Sequence, residues 1–387
     1  MYLHGLVVQR YRSCKHLHIP FHPELSVLLG ENNGGKSNLI EALRILTLPL
    51  NGRRDRYAEE EDIRRDSPED RFELTAHFRG LSDTLKGLLV RAVPDPTQDE
   101  AIFGLRYEGP TSSAPRGRLH TWAGKFQEAE PEAKSTDLIR HVYLPPLRDA
   151  QAALGSGSAG RVMGLFRHFL PKEQEPAFLE SIARTGTSSE VLNGINAAIG
   201  EALHTLTSGV RPQQSRLEFS DETLMDVARD LKFRLADAGI PLGDIRHSGL
   251  GYANLLYMAT VAAELARAKE ADLTLFLVEE PEAHLHPQLQ MLVLDFLLKQ
   301  ARESQSRVVE PGEPEGRIQV IVTTHSPNLT AWVDPKHLVV LRTRQEAEGD
   351  KATSHTVCIP IGELGVGKKA MGKLKRYLDV SRSALLF

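Results

Sequence analysis

The stretch Gly30-Glu31-Asn32-Asn33-Gly34-Gly35-Lys36-Ser37 constrains this chain more than any other, because it spells G-x-x-x-x-G-K-S. Glycines at these spacings let successive backbone N–H groups turn inward around an anionic phosphate chain. Lys36 is then expected to reach the β- and γ-phosphates of a nucleotide, and the Ser37 hydroxyl to sit on Mg²⁺. The context agrees. Leu25-Ser26-Val27-Leu28-Leu29 is a short apolar run that predicts a buried strand, and Asn38 to Leu46 carries helical spacing. A helix opening at the loop aims its N-terminus at the phosphates. The nucleotide contacts expected here are Asn32, Asn33, Gly34, Gly35, Lys36, Ser37 and Asn38.

Around that loop the chain reads as an α/β protein. Leu6 and Val8, then Leu17, Ile19 and Phe21, alternate as strands do. His16 and His18 are spaced by two and are expected on the solvent face of a strand, which with His4 and His22 argues against a metal cluster. Residues 51–70 are dense in mixed charge and predict a surface loop. Phe72 to Phe78, Phe103 to Tyr107 and Leu119 to Ala123 alternate and predict an antiparallel meander with one solvated face. Ile139 to Leu144 predicts a further strand. The composition breaks at Leu154-Gly155-Ser156-Gly157-Ser158-Ala159-Gly160, after which 161–207 read helical. The expected organisation is a discontinuous nucleotide-binding domain, 1–155 and 213–387, interrupted by a helical insertion at 156–212 that serves dimerisation.

An NTPase needs acidic groups to hold the metal and to orient the attacking water. Leu273 to Val278 is a continuous apolar run, as in a strand buried on both faces, and it ends in Glu279 and Glu280. Consecutive strand residues point to opposite faces, so one carboxylate is expected at the metal and the other at the water. Ile318 to Val322 predicts a neighbouring buried strand that ends at Thr323-Thr324-His325-Ser326. Ligands of open α/β sheets sit beyond the carboxyl ends of the strands, which places His325 at the γ-phosphate. Ser248-Gly249-Leu250-Gly251 opens another helix and forms a second anion site.

In this order the motifs resemble the ABC-type ATPase family: Walker A at 30–37, a signature at 248–251, Walker B at 273–280, a D-loop at 282–287 and an H-loop at His325. The resemblance implies an ABC/SMC-like P-loop ATPase with a mixed central sheet and an antiparallel β subdomain. It implies ATP and Mg²⁺ as cofactors, Ser37 and Glu279 at the metal, and Glu280 as catalytic base beside Lys36 and His325. Ser248, Gly249 and Gly251 then meet nucleotide in trans across a homodimer. Tyr11-Arg12-Ser13 is similar to the N-F-R-S start of SMC-like repair ATPases, which implies that Arg12 contacts phosphate. The signature is not L-S-G-G-Q, Walker B has Glu where Asp is usual, and either Gln127 or Gln151 is the Q-loop candidate.

Narrower stretches resemble the OLD (overcoming lysogenization defect) nuclease family: Glu279 to Pro287, Tyr143-Leu144-Pro145-Pro146-Leu147-Arg148-Asp149, and Tyr377 to Phe387. That family joins an N-terminal ABC ATPase to a C-terminal Toprim nuclease. The resemblance implies a regulatory ATPase half that reaches DNA within a larger assembly, with no nuclease centre among these residues, in a natural N-terminal half or a shortened chain. The alternative is an SMC- or RecF-like DNA-binding repair ATPase using ATP as a clamp switch. A transporter ATPase is disfavoured by the signature and by the long insertion.

Bulk properties fit these expectations. The net charge of −4 does not advertise nucleic-acid binding, though it leaves room for a local basic patch. Two cysteines, Cys14 and Cys358, allow neither a disulfide framework nor a zinc site and suggest a reducing, cytoplasmic setting. No run approaches the roughly 20 apolar residues of a membrane span, so no membrane partner is expected.

Overall fold

A computed structural model describes residues 1–50, 52, 54–146, 190–207, 213–218, 232–237, 243–244, 249–283, 285–310, 312–348 and 351–363, with isolated positions between 154 and 177. The chain divides into two units. The first comprises Met1–Tyr143, Ala268–Glu279 and Leu298–Phe387; the second comprises Leu144–Arg267 and Glu280–Leu297.

The first unit is built on two sheets. One has five antiparallel strands in the order β2-β1-β5-β6-β7: β1 Tyr2–Tyr11, β2 Cys14–Pro20, β5 Arg71–Arg79, β6 Glu100–Glu108 and β7 Arg118–Ala123. The other has seven strands in the order β15-β14-β3-β13-β12-β8-β4. They are β3 Leu25–Gly30, β4 Leu48–Pro49, β8 Ile139–Leu144, β12 Leu273–Glu279, β13 Arg317–Thr324, β14 Leu338–Glu348 and β15 Lys351–Pro360. Its centre, β14-β3-β13-β12, is parallel, so the carboxyl ends of β3, β12 and β13 share one edge. All of β12 is buried, which is why it reads as unbroken apolar sequence. Helix α1, Lys36–Leu46, follows β3; α2, Asp83–Leu88, follows β5. Apolar side chains of α1, both sheets and α2 form one core, with Leu39, Ile40, Leu43, Phe72, Phe78 and Leu277 among them.

Gln319 joins the two sheets. It lies on β13 with no solvent exposure. Its Oε1 accepts from the Leu3 amide at 2.8 Å, and its Nε2 donates to the Leu3 carbonyl at 2.8 Å and the His22 carbonyl at 3.0 Å. Leu3 sits where the β1–β5 register slips, so a side chain satisfies the backbone at the irregularity.

In the second unit, β9 Gln213–Glu218, β10 Lys232–Asp237 and β11 Gly243–Asp244 form an antiparallel sheet in the order β11-β10-β9. Helix α3, Glu190–Thr207, packs on β9 and on α4, Leu250–Glu264. Asn196 of α3 donates to the Leu217 carbonyl at 3.0 Å and accepts from the Leu217 amide at 2.6 Å, which satisfies backbone groups on the edge strand β9. Helix α5, Pro287–Gln305, begins in this unit. Short helix α6, Pro327–Trp332, belongs to the first unit and is capped by the Ser326 hydroxyl.

Three expectations change. The charged segment 51–70 is not simply solvated: Asp62 is 1% exposed and Arg64 7%. The Arg64 guanidinium donates to the Ser13 and Ser354 carbonyls at 2.8 and 2.7 Å, which straps the segment onto the first turn and β15. On β7 the alternation fails, with Leu119 half exposed and Trp122 buried. Trp122 stands opposite Gly104 and its ring fills the space a side chain would need, so the glycine partner decides which residue is covered. Glu280 is not a strand residue; β12 ends at Glu279, and Glu280 has φ 45°. His16 and His18 are exposed as their spacing predicts. His22 instead meets Glu24 and His337 in a packed corner. There the His22 Nδ1 accepts from the Glu24 amide, Arg302 holds the Glu24 carboxylate, and burial lowers the His337 imidazole to about 4.

Replacing Gln319 with Leu strands the buried N–H and carbonyl of Leu3 and the part-buried carbonyl of His22. At about 1 kcal/mol or more for each group, the variant is expected to lose on the order of 3 kcal/mol, read as a lower urea midpoint with an unchanged slope.

Candidate active site

The loop between β3 and α1 is held from its outer side. A side chain at Gly30 would meet the Leu341 carbonyl of β14 at 2.2 Å, so only glycine lets β14 pair this closely. Gly35 has φ 95°, and a Cβ there would lie 2.5 Å from Thr356 Oγ1 on β15. Glu31, Asn32 and Asn33 are exposed, whereas Gly34, Gly35 and Lys36 are buried. Helix α1 starts at Lys36 with no acidic residue of its own in the first turn, so the positive end of its dipole is open to an anion from elsewhere.

The side chains converge at this edge. Lys36 Nζ donates to the Gly30 and Glu31 carbonyls at 2.8 and 2.9 Å and lies 3.4 Å from His325 Nδ1. Ser37 Oγ donates to Glu279 Oε2 at 2.6 Å. The other oxygen of Glu279 accepts from the Tyr143 hydroxyl at 2.9 Å. Glu279 is buried, so both oxygens require such partners. Burial first, and the Glu279 charge next, push the Tyr143 phenol far above its ordinary range; it stays protonated and donates. The Arg44 guanidinium lies 3.9 Å from the centre of the Tyr143 ring.

Arg12 is brought to the same helix. It takes φ 46° at the turn between β1 and β2, its Nε donates to Asp62 Oδ1 at 2.9 Å and its Nη1 to Asn38 Oδ1 at 3.3 Å. Asn38 Nδ2 donates to Ser13 Oγ at 2.7 Å, and Ser13 Oγ lies 2.7 Å from Thr356 Oγ1. Asp62 also takes Arg56 Nη2 on both oxygens, at 2.6 and 2.7 Å. Arg56 Nε reaches Glu41 Oε2 at 2.7 Å, and Glu41 Oε1 takes Arg44 Nη1 at 2.6 Å.

Thus Arg12, Lys36, Ser37, Asn38, Glu279 and His325 gather within the first unit. Glu280, Gly249 and Gly251 belong to the second unit, and Ser248 lies outside the described residues. In the second unit Gly249 caps α4, and the Glu280 carbonyl accepts from the Ala283 amide at 3.1 Å in a tight turn. Asn254 of α4, 1% exposed, donates to the Ala283 carbonyl at 2.7 Å and holds that turn. Of the two glutamine candidates, Gln127 bonds with Glu73 and Arg106 on the antiparallel sheet, and Gln151 lies outside the described residues. Tyr143, Arg44, Glu41, Arg56, Asp62 and Asn254 carry no motif signal. Glu41 and Arg44 lie in the helical run after the loop, Arg56 and Asp62 in the charged segment and Tyr143 in a stretch that resembles the OLD family, and no local pattern in these stretches points to the partners that the fold brings together.

A mixed sheet carrying this loop, with an antiparallel sheet in the same unit, is the fold of SMC head domains. The chain is similar to the crystal structure of an SMC head bound to the C-winged helix domain of ScpA, with TM-score 0.60 and 18% identity over 96% of this chain and 100% of that one. It is also similar to an SMC head with an extended coiled coil bound to the C-terminal domain of ScpA derived from Pyrococcus furiosus, with TM-score 0.51 and 16% identity over 97% and 99%. Residues 1–141 and 172–330 match the family described as AAA ATPase domain, and the chain belongs to that family. A 48-residue stretch is 44% identical to the DNA replication and repair protein RecF of Lactobacillus acidophilus; it spans 12% of this chain and 13% of that protein.

Asp62 is the buried anion of the charge chain. Changing Asp62 to Asn leaves Arg12 and Arg56 short of a counter-charge and is expected to cost about 2 kcal/mol by urea unfolding, less than a fully buried pair because both guanidiniums reach solvent. Glu69→Gln, at an exposed partner of Arg10 and Arg71, is the control and is expected to change stability by less than about 0.5 kcal/mol.

Proposed function

We propose that this chain is an ATP-hydrolysing switch of the SMC/RecF type that works on DNA as a homodimer. The observation that carries the reading is the Ser37–Glu279 contact of 2.6 Å beside Lys36, at the shared carboxyl edge of β3, β12 and β13. A hydroxyl and a carboxylate are hard oxygen donors, and together they fit Mg²⁺. The ion when bound neutralises charge on the β- and γ-phosphates. Lys36 leaves the loop carbonyls for the phosphates, and Asn32, Asn33, Gly34, Gly35 and Asn38 line the cradle with their backbone. His325 and Arg12 contact phosphate oxygens. Glu280, next in the chain after Glu279, takes the proton of the attacking water.

Gly249, Gly251 and Ser248 form the second anion site, which receives the nucleotide of the partner subunit. The insertion at 156–212 supplies a nucleotide-independent interface, and 1–155 with 213–387 form the ATPase domain. DNA as the partner is supported by the stretch similar to the DNA replication and repair protein RecF. A second reading, the regulatory half of an OLD-type nuclease with a Toprim partner domain, is favoured by the Tyr143–Asp149 and Glu279–Pro287 stretches.

Purified protein is expected to hydrolyse ATP with Mg²⁺, and Lys36→Ala to weaken nucleotide binding. Glu280→Gln is expected to bind a fluorescent ATP analogue as the parent does while turnover falls at least about a hundredfold. Equal turnover by Glu280→Gln and parent removes the base from Glu280.

The trans site makes a separate demand. Ser248→Arg places a bulky cation at the second anion site, so it is expected to abolish turnover while each subunit still binds nucleotide. Normal hydrolysis by this variant, measured by phosphate release, rules the arrangement out.

A further inference from the structure

Walker B here offers a glutamate where the related pattern has aspartate. The extra methylene adds a rotatable bond, and a longer carboxylate arm loses more conformational freedom when it is held in one place. Something must hold it. Glu279 Oε2 is taken by Ser37, and Oε1 accepts from the Tyr143 hydroxyl at 2.9 Å. The Tyr143 ring is in turn covered by the Arg44 guanidinium at 3.9 Å.

Arg44 is itself fixed, by Glu41 at 2.6 Å and Asp55 at 3.0 Å, and Glu41 by Arg56 at 2.7 Å. Ser37, Glu41 and Arg44 stand at i, i+4 and i+7 of α1, which puts them on one stripe of the helix. The same helix therefore presents the hydroxyl that meets one oxygen of Glu279 and the cation that seats the residue meeting the other.

We propose that Tyr143 is the positioning residue of Glu279: its hydroxyl selects the carboxylate rotamer that faces Ser37, and Arg44 keeps the Tyr143 ring in place. The proposal rests on the reading of Ser37 and Glu279 as the Mg²⁺-holding pair. A structural role for Tyr143 resides in its ring; the positioning role resides in its hydroxyl. Tyr143→Phe separates them, because it keeps the ring beneath Arg44 and removes only the donor.

The test is a Mg²⁺ titration of fluorescent ATP analogue binding, which needs no turnover. In EDTA, Tyr143→Phe is expected to bind the analogue within twofold of the parent. The Mg²⁺ concentration giving half of the metal-dependent tightening is expected to rise about five- to tenfold. Glu279→Asp shortens the arm beyond reach of the hydroxyl, so adding Tyr143→Phe to it is expected to move that midpoint less than twofold, the coupling expected of two groups in contact. An unchanged midpoint in Tyr143→Phe overturns the proposal, as does an undiminished shift in the Glu279→Asp background or an equal loss of binding in EDTA. A parent protein that binds no analogue at all overturns the ATPase reading instead, a result distinct from these.

Discussion

A carboxylate buried at the end of a fully buried strand is the constraint on which the first unit turns. Glu279 loses its water when β12 is covered on both faces, and an ionised group in that position is tolerated only with full hydrogen bonding. Its two partners come from two separate elements, both earlier in the chain. Ser37 arrives on the helix that follows β3, and Tyr143 on β8, beside β12 in the sheet order. The strand order therefore brings to one carboxylate two oxygen partners that are 106 positions apart in sequence.

The phosphate loop is shaped by a second constraint, steric rather than electrostatic. Gly30 and Gly35 are required by β14 and β15 as much as by any phosphate, since Leu341 and Thr356 occupy the space that a Cβ would need. Ser13 and Thr356 then tie the first turn of the chain to β15 at the same place. The loop's flank is thus continuous with the antiparallel end of the seven-stranded sheet.

Local pattern made much of this legible. The loop, the strand before it, the helix after it and the apolar run of β12 are consequences of short-range spacing and are present as predicted. The convergence of Lys36, Ser37, Glu279 and His325 follows once β3, β12 and β13 are parallel neighbours. Charge density is a poorer guide. It predicts solvent for 51–70 because composition carries no information about partners, and Arg12 and Glu41 stand 50 and 15 positions from their partners Asp62 and Arg56. Tyr143 illustrates the same limit, since its meaning lies in a contact 136 residues away. Glu280 escapes strand logic because a single residue with positive φ ends the alternation.

The chain of ions from Arg12 through Asp62, Arg56 and Glu41 to Arg44 has an evolutionary corollary. Each interior member touches two charges of opposite sign, so reversing one sign creates two repulsions at once. Lysine is no ready substitute at Arg56, which donates from separate nitrogens to two different carboxylates, or at Arg44, which also lies over a ring. Drift at these five positions is therefore expected to be concerted: lineages that abandon the chain replace it as a block, with Tyr143 among the residues that change along with it.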